Sequence, residues 1–384
     1  MPEISEVARI VHYLKKNLVG KTIKSVQVQE DEIIYGKAGT TASAFKTAMT
    51  GKTVVDARQQ GKYFWLVMSK PPHPLMHFGM TGWIKLSNED TTYYRPSKAE
   101  QEEAWPPRFW KFVLDFGDGQ AAFVDKRRLG RIRLVDAKAE DMRKTTPLKE
   151  NGPDPVIDKD ILTLDWLSKK LRSKKVPIKA LLLDQANISG IGNWVGDETL
   201  YQAKIHPEQY SNTLSDAQIK QLHLAIMHVC TSAVGVLGKK EDFPDGWLMK
   251  YLLGDEKKDK SRLPSGEKII YLKVGGRTSA VVPSVQKKTG DVAGDFSEDE
   301  EEEEPKPKKA VNGTAAGKKG RKKKQVDEDE DDELFEESDE QPPAKKQKGN
   351  AKATKGKTST AKPASEPGKA VEATGKRRSG RFKA

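Results

Sequence analysis

Cysteine is almost absent from this chain of 384 residues, in which Cys230 is the single example. One cysteine excludes an internal disulfide framework and any zinc site built from several cysteines. Long apolar runs are also missing, since none approaches the roughly 18 residues that a membrane-spanning helix needs. The N-terminus lacks the basic and then apolar layout of a signal peptide. We therefore expect an intracellular protein that does not associate with membranes.

Apolar residues become scarce towards the C-terminus. Hydrophobic types make up 35% of the chain, whereas a globular chain contains roughly half. Residues 291–384 hold three aromatic residues and 22 acidic against 22 basic side chains. This composition predicts a disordered, charged tail. The net charge of +12 then belongs entirely to residues 1–290, and such a basic body favours a polyanionic partner.

The periodicity of the sequence predicts two bodies of different class. Residues 3–18 have apolar side chains at helical spacing, and eight short alternating runs punctuated by glycine follow, as in a β-sandwich. These strand-like runs are 22–28, 53–59, 63–68, 75–78, 83–86, 109–115, 120–124 and 131–135. From residue 162 the period is helical, and the predicted helices are 162–172, 178–185, 194–202, 216–235 and 246–253. A β-hairpin is predicted at the end of this region. Its two strand-like runs are 268–274 and 278–285, and Gly275-Gly276-Arg277 joins them.

We accordingly expect an α+β multidomain protein. The predicted parts are a helix and β-sandwich domain over 1–136, a linker over 137–157, a helical domain over 158–254, a hairpin over 255–290 and a disordered tail over 291–384. Basic runs in the tail at 320–324 and 376–378 are either pieces of a solvated flexible chain or nuclear-import patches.

The first candidate for chemistry is the segment Pro2-Glu3-Ile4-Ser5-Glu6. Removal of Met1, which a following proline permits, would expose a secondary α-amine at the head of a helix. Such an amine has a lower pKa than a lysine, so more of it is neutral and nucleophilic near neutral pH. Glu3 and Glu6 stand where either carboxyl group could act as an acid or a base. Proline and acidic residues are also ordinary at helix starts, so both interpretations stay open.

Three further segments combine glycine with hydrogen-bond donors or cations. Residues 60–64 and 77–82 each join a glycine turn to a proton or hydrogen-bond donor, which is Lys62 in the first and His77 in the second. Residues 125–133 place five cations around one apolar side chain, Leu129. Arginine beside an apolar wedge can fill the gap left by an extruded base and contact its orphaned partner. The alternative for this last segment is a solvated strand end.

Two more segments could contact phosphates. Residues 188–194 form a Gly-x-Gly turn into a helix, whose bare amides could bind phosphate oxygens, and Lys175 and Lys179 lie just upstream. Residues 275–279 present Arg277 on a hairpin tip. Glycines that only punctuate a helix and an arginine that is only solvated are the alternatives, so neither segment is decisive alone.

Taken in order, these segments resemble the formamidopyrimidine-DNA glycosylase and endonuclease VIII family. The matching motifs are Pro2-Glu3, Gly61-Lys62-Tyr63, 77–82, 125–130, 182–207 and Gly276-Arg277-Thr278, so the resemblance spans residues 2–286. The stretch 182–207 is especially specific. The motifs at 61–63 and 77–82 favour the formamidopyrimidine branch.

The resemblance implies a fold and a set of roles. The fold is an N-terminal helix plus β-sandwich, a helix-two-turn-helix domain and a hairpin finger, with DNA in the cleft between them. Pro2 would be the Schiff-base nucleophile at the sugar C1′, and Glu3 the acid or base that assists ring opening. Lys62 would donate a proton during elimination, and Arg277 would contact the phosphates beside the lesion and assist the second elimination.

The family also implies DNA-binding residues. The gap that a flipped nucleotide leaves in the base stack would be filled by Met80, Arg128 and Leu129. The phosphates of that nucleotide would be bound by Lys179 and Asn193. The other DNA-binding residues that we predict are Glu6, His77, Arg127 and Lys175.

The chain departs from the common bacterial pattern in its finger and its wedge. Residues 251–290 contain neither cysteine nor histidine, so the four-cysteine zinc finger of bacterial members cannot form. We expect a zincless finger, as in plant and fungal members. Leu129 stands where an aromatic wedge is common, which bears on how the orphaned base is discriminated.

The sequence thus predicts a bifunctional DNA glycosylase and abasic-site (AP) lyase of nuclear base-excision repair. It would excise oxidised or ring-opened purines through Pro2 and nick the strand by β- and δ-elimination. The expected partner is damaged double-stranded DNA, the expected state is a monomer, and the tail is expected to bind other repair or chromatin proteins. No metal or organic cofactor is expected. Two alternatives stay open: an endonuclease VIII-like enzyme for oxidised pyrimidines, and a non-catalytic DNA-binding chromatin protein.

Overall fold

Two hydrophobic cores organise the protein, one between two β-sheets and one among helices. They are seen in a computed structural model that describes residues 2–92, 104–252 and 262–291. The predicted tail from residue 292, the end of the last predicted helix at Leu253 and the segment 253–261 lie outside the described residues. The domain boundaries given above stay predictions.

Helix α1 (Ile4–Leu18) belongs to both cores. Glu3 is its N-cap residue, and the Glu3 backbone N–H donates to the Glu6 carboxylate at 2.8 Å. Val7 and Leu14 pack into the core between the sheets, whereas Ile4 packs into the helical core. The helix predicted over 3–18 is confirmed, and its first turn connects the two bodies.

Eight strands form two four-stranded antiparallel sheets. Their bounds are β1 Ser25–Val28, β2 Val54–Gln60, β3 Tyr63–Met68, β4 His73–His77, β5 Trp83–Leu86, β6 Trp110–Asp115, β7 Gln120–Val124 and β8 Arg131–Val135. One sheet has the order β1-β6-β7-β5 and the other the order β2-β3-β4-β8. Phe64 and Phe78, with ring centroids 4.5 Å apart, lie in the core between the sheets. Every predicted strand is present, with small shifts at the ends.

One helix of this domain, α2 (Ala42–Met49), was not predicted. Its signals are nevertheless in the sequence. The Thr41 hydroxyl accepts the Ala44 N–H at 3.0 Å, as an N-cap residue does. Ala42, Phe45 and Met49 are buried, at spacings that place them on one helical face.

The second core is built by helices. Their bounds are α3 Leu164–Arg172, α4 Ile178–Leu183, α5 Asn193–Gln202, α6 Asp216–Gly235 and α7 Leu248–Leu252. Helix α6 begins with a capping box, in which the Ser215 N–H donates to the Gln218 side chain at 3.0 Å and the Gln218 N–H donates to the Ser215 hydroxyl at 3.3 Å. No helix in the described part of the chain is long and apolar enough to cross a membrane.

The predicted hairpin is present as β9 (Ile270–Val274) and β10 (Arg277–Val281). Gly275 and Gly276 form its two-residue turn with φ values of 62° and 78°. Such a turn needs positive φ at both central residues, which glycine adopts without a steric penalty. The strands are shorter than predicted, and Ile269 and Val282 at their outer ends help to build a small core with α7.

Candidate active site

The Glu3 carboxylate is fixed at the start of α5. It is 2% exposed and accepts the backbone N–H groups of Gly192 at 2.8 Å, Trp194 at 3.0 Å and Val195 at 3.1 Å. The unpaired amides and the positive end of the helix dipole both favour a carboxylate there. The N-terminus of one body is thereby held by a helix of the other.

This contact corrects our interpretation of residues 188–194. The amides at the start of α5 bind Glu3 and are therefore occupied, so they are not the bare amides that we predicted for phosphate. A Cβ on Gly192 would lie 2.2 Å from the Glu3 Cδ atom. The glycine is thus required by the close approach of Glu3.

Pro2 lies one residue before the helix cap, and it is buried. A proline that serves only to start a helix prefers the first helical position, which Ile4 occupies here. The helix-start interpretation of Pro2 therefore does not apply. The Ile4 N–H donates to the Gly190 carbonyl at 3.1 Å, so the segment that begins with Pro2 is attached to the same loop that leads to α5.

Lys62 reaches the same place from the turn between β2 and β3. Gly61 in this turn has φ 56°, and a Cβ on it would lie 2.7 Å from the Ser189 Cβ atom and 2.8 Å from the Gly190 nitrogen. Its N–H donates to the Asp154 carboxylate at 2.7 Å. The turn is therefore pressed against the loop 188–192 and cannot move without disturbing it.

Burial lowers the pKa of the Lys62 ammonium, which is 8% exposed. The nearby positive charges of Arg277 and Lys179 act in the same direction, while Glu3 and Glu6 oppose it. Lys62 thus interacts electrostatically with four other charged groups of the site. A lysine with a lowered pKa exchanges its proton more readily near neutral pH.

Burial and the charge of Glu3 together raise the pKa of Glu6 to about 7. Its carboxyl group is 4% exposed and accepts the Glu3 N–H. Glu6 is therefore a group that can hold or release a proton near neutral pH.

Asp197 connects the hairpin to this cluster. The Lys179 ammonium is fully buried and donates to the Asp197 carboxylate at 2.5 Å and to the Asn193 carbonyl at 2.6 Å. The other Asp197 oxygen accepts the Ala280 N–H at 3.1 Å, and the Asn193 side-chain amide donates to the Thr278 carbonyl at 3.0 Å. Strand β10 is thus tied to α5, next to the half-buried Arg277 at its start.

A second group of predicted residues lies where the loops 77–82 and 126–130 meet. A Cβ on Gly79 would lie 2.4 Å from the Leu129 carbonyl carbon, so the two loops are in direct contact. Met80 and Leu129 are half-buried there, and Arg127 is exposed. The buried Asp125 carboxylate holds the junction, since it accepts the Thr81 hydroxyl at 2.6 Å and the Gly130 N–H at 2.7 Å.

The remaining predicted residues have distinct surroundings. Burial, followed by the charges of Lys62 and of arginines on β8, lowers the pKa of His77 to about 3, and the His77 ring lies 4.8 Å from that of Tyr63. The Arg128 guanidinium pairs with Asp31 through two 2.9 Å contacts. Lys175 is exposed, with its ammonium 5.2 Å from the Tyr210 ring centroid.

The structure therefore brings the predicted residues together as two clusters. The first contains Pro2, Glu3, Glu6, Lys62, Lys179, Asn193 and Arg277. The second contains Met80, Arg127, Arg128 and Leu129. Sequence reasoning placed Asp125 in the motif 125–130 without giving it a role, and it missed three further carboxylates that hold the clusters in place, namely those of Asp154, Asp197 and Asp31. Only Asp197 had a signal, because it follows Asn193 by one helical turn.

Comparison with protein families gives two matches in chain order. Residues 1–132 match the family model described as the formamidopyrimidine-DNA glycosylase N-terminal domain. Residues 152–243 match the model described as the formamidopyrimidine-DNA glycosylase H2TH domain. The two matches cover more than half of the chain and correspond to its two cores.

Curated relatives carry the same name. A formamidopyrimidine-DNA glycosylase of Arabidopsis thaliana is 39% identical over 292 residues, which is 76% of this chain and 72% of the relative. One of Pelotomaculum thermopropionicum is 31% identical over 295 residues, which is 75% of this chain and 99% of the relative.

Solved structures share the fold. The Lactococcus lactis formamidopyrimidine-DNA glycosylase bound non-covalently to DNA containing an AP site has a TM-score of 0.61 and 26% identity, over 74% of this chain and 100% of that one. Its complex with DNA containing FAPY-dG has a TM-score of 0.60 and 26% identity, with the same coverage. The similarity confirms the predicted α+β architecture with a helix-two-turn-helix domain. The chain belongs to the formamidopyrimidine-DNA glycosylase family.

Proposed function

We propose that this protein is a DNA glycosylase and AP lyase of base-excision repair that acts on oxidised or ring-opened purines in duplex DNA. The observation that carries the proposal is the junction of Pro2 and Glu3 with Lys62. Three segments that are distant in the chain converge there, namely the N-terminus, the turn that carries Lys62 and the loop 188–192. The N-terminus ends in a secondary amine once Met1 is removed. Family membership supports glycosylase chemistry at this point.

The proposed reaction begins with the Pro2 nitrogen. Its lone pair forms a bond to C1′ of the flipped nucleotide while the bond between C1′ and the base breaks, and the base leaves with the bonding electrons and a proton. The C1′–O4′ bond of the sugar then breaks, O4′ takes the bonding electrons and a proton, and the Pro2 nitrogen, which has lost its own proton to the base, forms a double bond to C1′. The resulting iminium needs no proton to stay positively charged, so it withdraws electrons from the sugar over a wide pH range. Elimination of the 3′ and then the 5′ phosphate follows.

The side chains around Pro2 suit the proton transfers of this sequence. Glu3 is held by three amides in one orientation, as an acid or base for opening the sugar ring must be. The lowered pKa of Lys62 and the raised pKa of Glu6 bring two further groups towards neutral pH. Arg277, on the edge of the same cluster, supplies a cation for the phosphates that leave.

The second cluster suits the entry into the duplex. Met80 and Leu129 offer apolar surface at the junction of their loops, which is the chemistry needed to fill the gap left by a flipped base. Among the described residues none pairs with the Arg127 guanidinium, whereas that of Arg128 is held by Asp31. We therefore assign contact with the orphaned base to Arg127 in preference to Arg128.

Borohydride trapping on an abasic duplex tests the nucleophile. We expect a covalent adduct, and we expect peptide mass spectrometry to map it to Pro2. An added Gly-Ser dipeptide before Pro2 would turn its nitrogen into an amide and should abolish the adduct. The same dipeptide at the C-terminus is the matched control and should leave trapping intact. An adduct mapped to a lysine, or trapping that survives the N-terminal extension, would contradict the assignment.

A panel of lesions tests the substrate class. Duplexes with a ring-opened purine, 8-oxoguanine or thymine glycol would be compared in single-turnover cleavage. Preference for the first of these supports the proposal. Preference for thymine glycol would favour an endonuclease VIII-like enzyme, and binding without cleavage of any lesion would favour a non-catalytic DNA-binding protein.

We also propose that the protein is a nuclear monomer with a zincless finger and a tail that binds repair or chromatin proteins. The basic runs at 320–324 and 376–378 support nuclear import, and the absence of cysteine and histidine from 251–290 supports a finger without zinc. Deleting both basic runs should shift a fluorescent fusion out of the nucleus. Metal analysis of the purified protein would test the finger.

A further inference from the structure

Asp31 anchors the loop 126–130 from a distant part of the chain. It follows strand β1, and it is 6% exposed. The Arg128 guanidinium donates to both carboxylate oxygens at 2.9 Å, and the Lys111 ammonium donates to one of them at 3.0 Å. A bidentate pair of this kind fixes the guanidinium in orientation as well as in position.

The anchor is itself rigid and ionised. The backbone N–H groups of Ile33 and Ile34 donate to Asp31 at 3.0 and 3.1 Å. Burial opposes ionisation, but the hydrogen bonds from Arg128 and Lys111 outweigh it and hold the pKa of this carboxyl well below its usual range. The negative charge of Asp31 thus neutralises part of the positive charge of Arg128 and Lys111.

The loop needs such an anchor because its backbone is strained. Arg128 has φ 58°, in the left-handed region that non-glycine residues rarely adopt. The paired side chain offsets the cost of this conformation. Asp125 accepts the Arg127 and Gly130 N–H groups, at 3.2 and 2.7 Å, and so holds the backbone on both sides of Arg128, while Asp31 holds the Arg128 side chain.

We propose that Asp31 is a positioning residue for duplex recognition: it withholds Arg128 from the DNA phosphates and fixes the loop so that Arg127 and Leu129 are the side chains presented to the DNA. The inference rests on the proposed function, because it concerns the same DNA-binding face. If Arg128 were released, its guanidinium would join that of Arg127 on this face and would add DNA affinity that is independent of sequence and of damage. Asp31 therefore favours selectivity over affinity.

Salt-dependent binding tests the proposal. The full chain would be titrated with a duplex that carries a tetrahydrofuran abasic analogue, at several salt concentrations. Each phosphate contact contributes about 0.9 to the slope of log K against log salt. We expect Arg128→Ala to leave the slope unchanged and Asp31→Asn to steepen it by about 0.9, because Arg128 is then released to a phosphate. The double variant should return to the wild-type slope.

Asp56→Asn is the matched control, since it removes a surface carboxylate that pairs with Arg58 at 2.9 Å and changes the net charge equally. Its slope should equal that of the wild type. Asp31→Asn should also lower the preference for the abasic duplex over an undamaged duplex by about tenfold, on the scale of one lost base contact.

Two results would overturn the proposal. A slope that becomes shallower by about 0.9 in Arg128→Ala would show that this guanidinium contacts a phosphate in the complex. An unchanged slope and preference in a folded Asp31→Asn protein would show that the anchor has no role in recognition. If Asp31→Asn does not fold, Arg128→Ala still decides, because the pair of Asp31 with Lys111 is kept. Failure of the proposed function would appear separately, as absent trapping in the wild type.

Discussion

Glu6 shows how one buried side chain couples the site to stability. The pKa of its carboxyl rises from 4.5 to about 7 on folding, because burial and the charge of Glu3 disfavour the ionised form. A folded pKa above the unfolded one means that the stability contribution is complete below about pH 4.5 and is lost as the pH rises through about 7. At alkaline pH the native protein therefore carries an unfavourable charge.

We predict that Glu6→Gln stabilises the protein relative to the wild type at pH 8 but much less at pH 5. The difference between the two pH values should be about 2 kcal/mol, since one pKa unit corresponds to about 1.4 kcal/mol. Urea unfolding at both pH values measures it. Glu241→Gln, at an exposed position, is the control and should show no such difference. Equal effects of Glu6→Gln at pH 5 and pH 8 would contradict the raised pKa.

At the scale of elements, the start of α5 is the part that assembles the site. Its amides hold Glu3, its first side chain contacts the hairpin, and the loop before it receives the turn that carries Lys62. The site thus depends on the close approach of the Ile4 and Glu3 side chains to the backbone of this loop, which glycine at 190 and 192 permits.

Gly192→Ala should therefore damage the chemistry more than the fold. The new Cβ would displace the Glu3 carboxylate, and a displacement near 1 Å can lower a rate by about 100-fold. Single-turnover cleavage of an abasic duplex measures the loss. Gly246→Ala is the matched control, because a Cβ there meets nothing within 4 Å. Activity within about twofold of the control would mean that the Glu3 position is not critical.

The sequence predicted most elements, because their signals are local. Strand alternation, the helical spacing of α1 and the Gly-Gly turn each depend on residues within a few positions. Helix α2 was not predicted although Thr41 and the apolar spacing are signals for it, because a helix of 8 residues spans too few turns to show a clear period between flanking strands. The occupation of the α5 amides by Glu3 was not predictable in this way, since the two partners are separated by 189 residues or more.

The pairing of Asp31 with Arg128 was hidden for the same physical reason. An isolated acidic residue after a strand has no periodicity, and its partner is 97 positions away. Long-range carboxylates of this kind appear only when the sheets place their loops side by side. The motifs thus indicated the site residues that we propose, whereas no motif indicated the long-range contacts of Asp31.

At the scale of the whole molecule, the charge distribution separates the DNA-binding body from the tail. Residues 1–290 contain 46 basic and 34 acidic side chains, whereas the remainder is balanced. We predict that DNA affinity falls steeply with salt and that a chain ending after Asp291 keeps the same slope and the same turnover on short oligonucleotides. Ending there retains the bond from the Tyr210 N–H to the Asp291 carbonyl at 2.9 Å. Loss of turnover on truncation would show that the tail takes part in catalysis.

The sharing of α1 between the two cores has a mechanical consequence. Ile4 is embedded in one core and Val7 in the other, so a rotation between the two bodies must pivot on the first turn of this helix. Pro2 and Glu3 stand directly beside that pivot. Any bend that a bound duplex imposes on the protein would then reach the proposed nucleophile, the Pro2 nitrogen, and the shape of the DNA would influence its alignment.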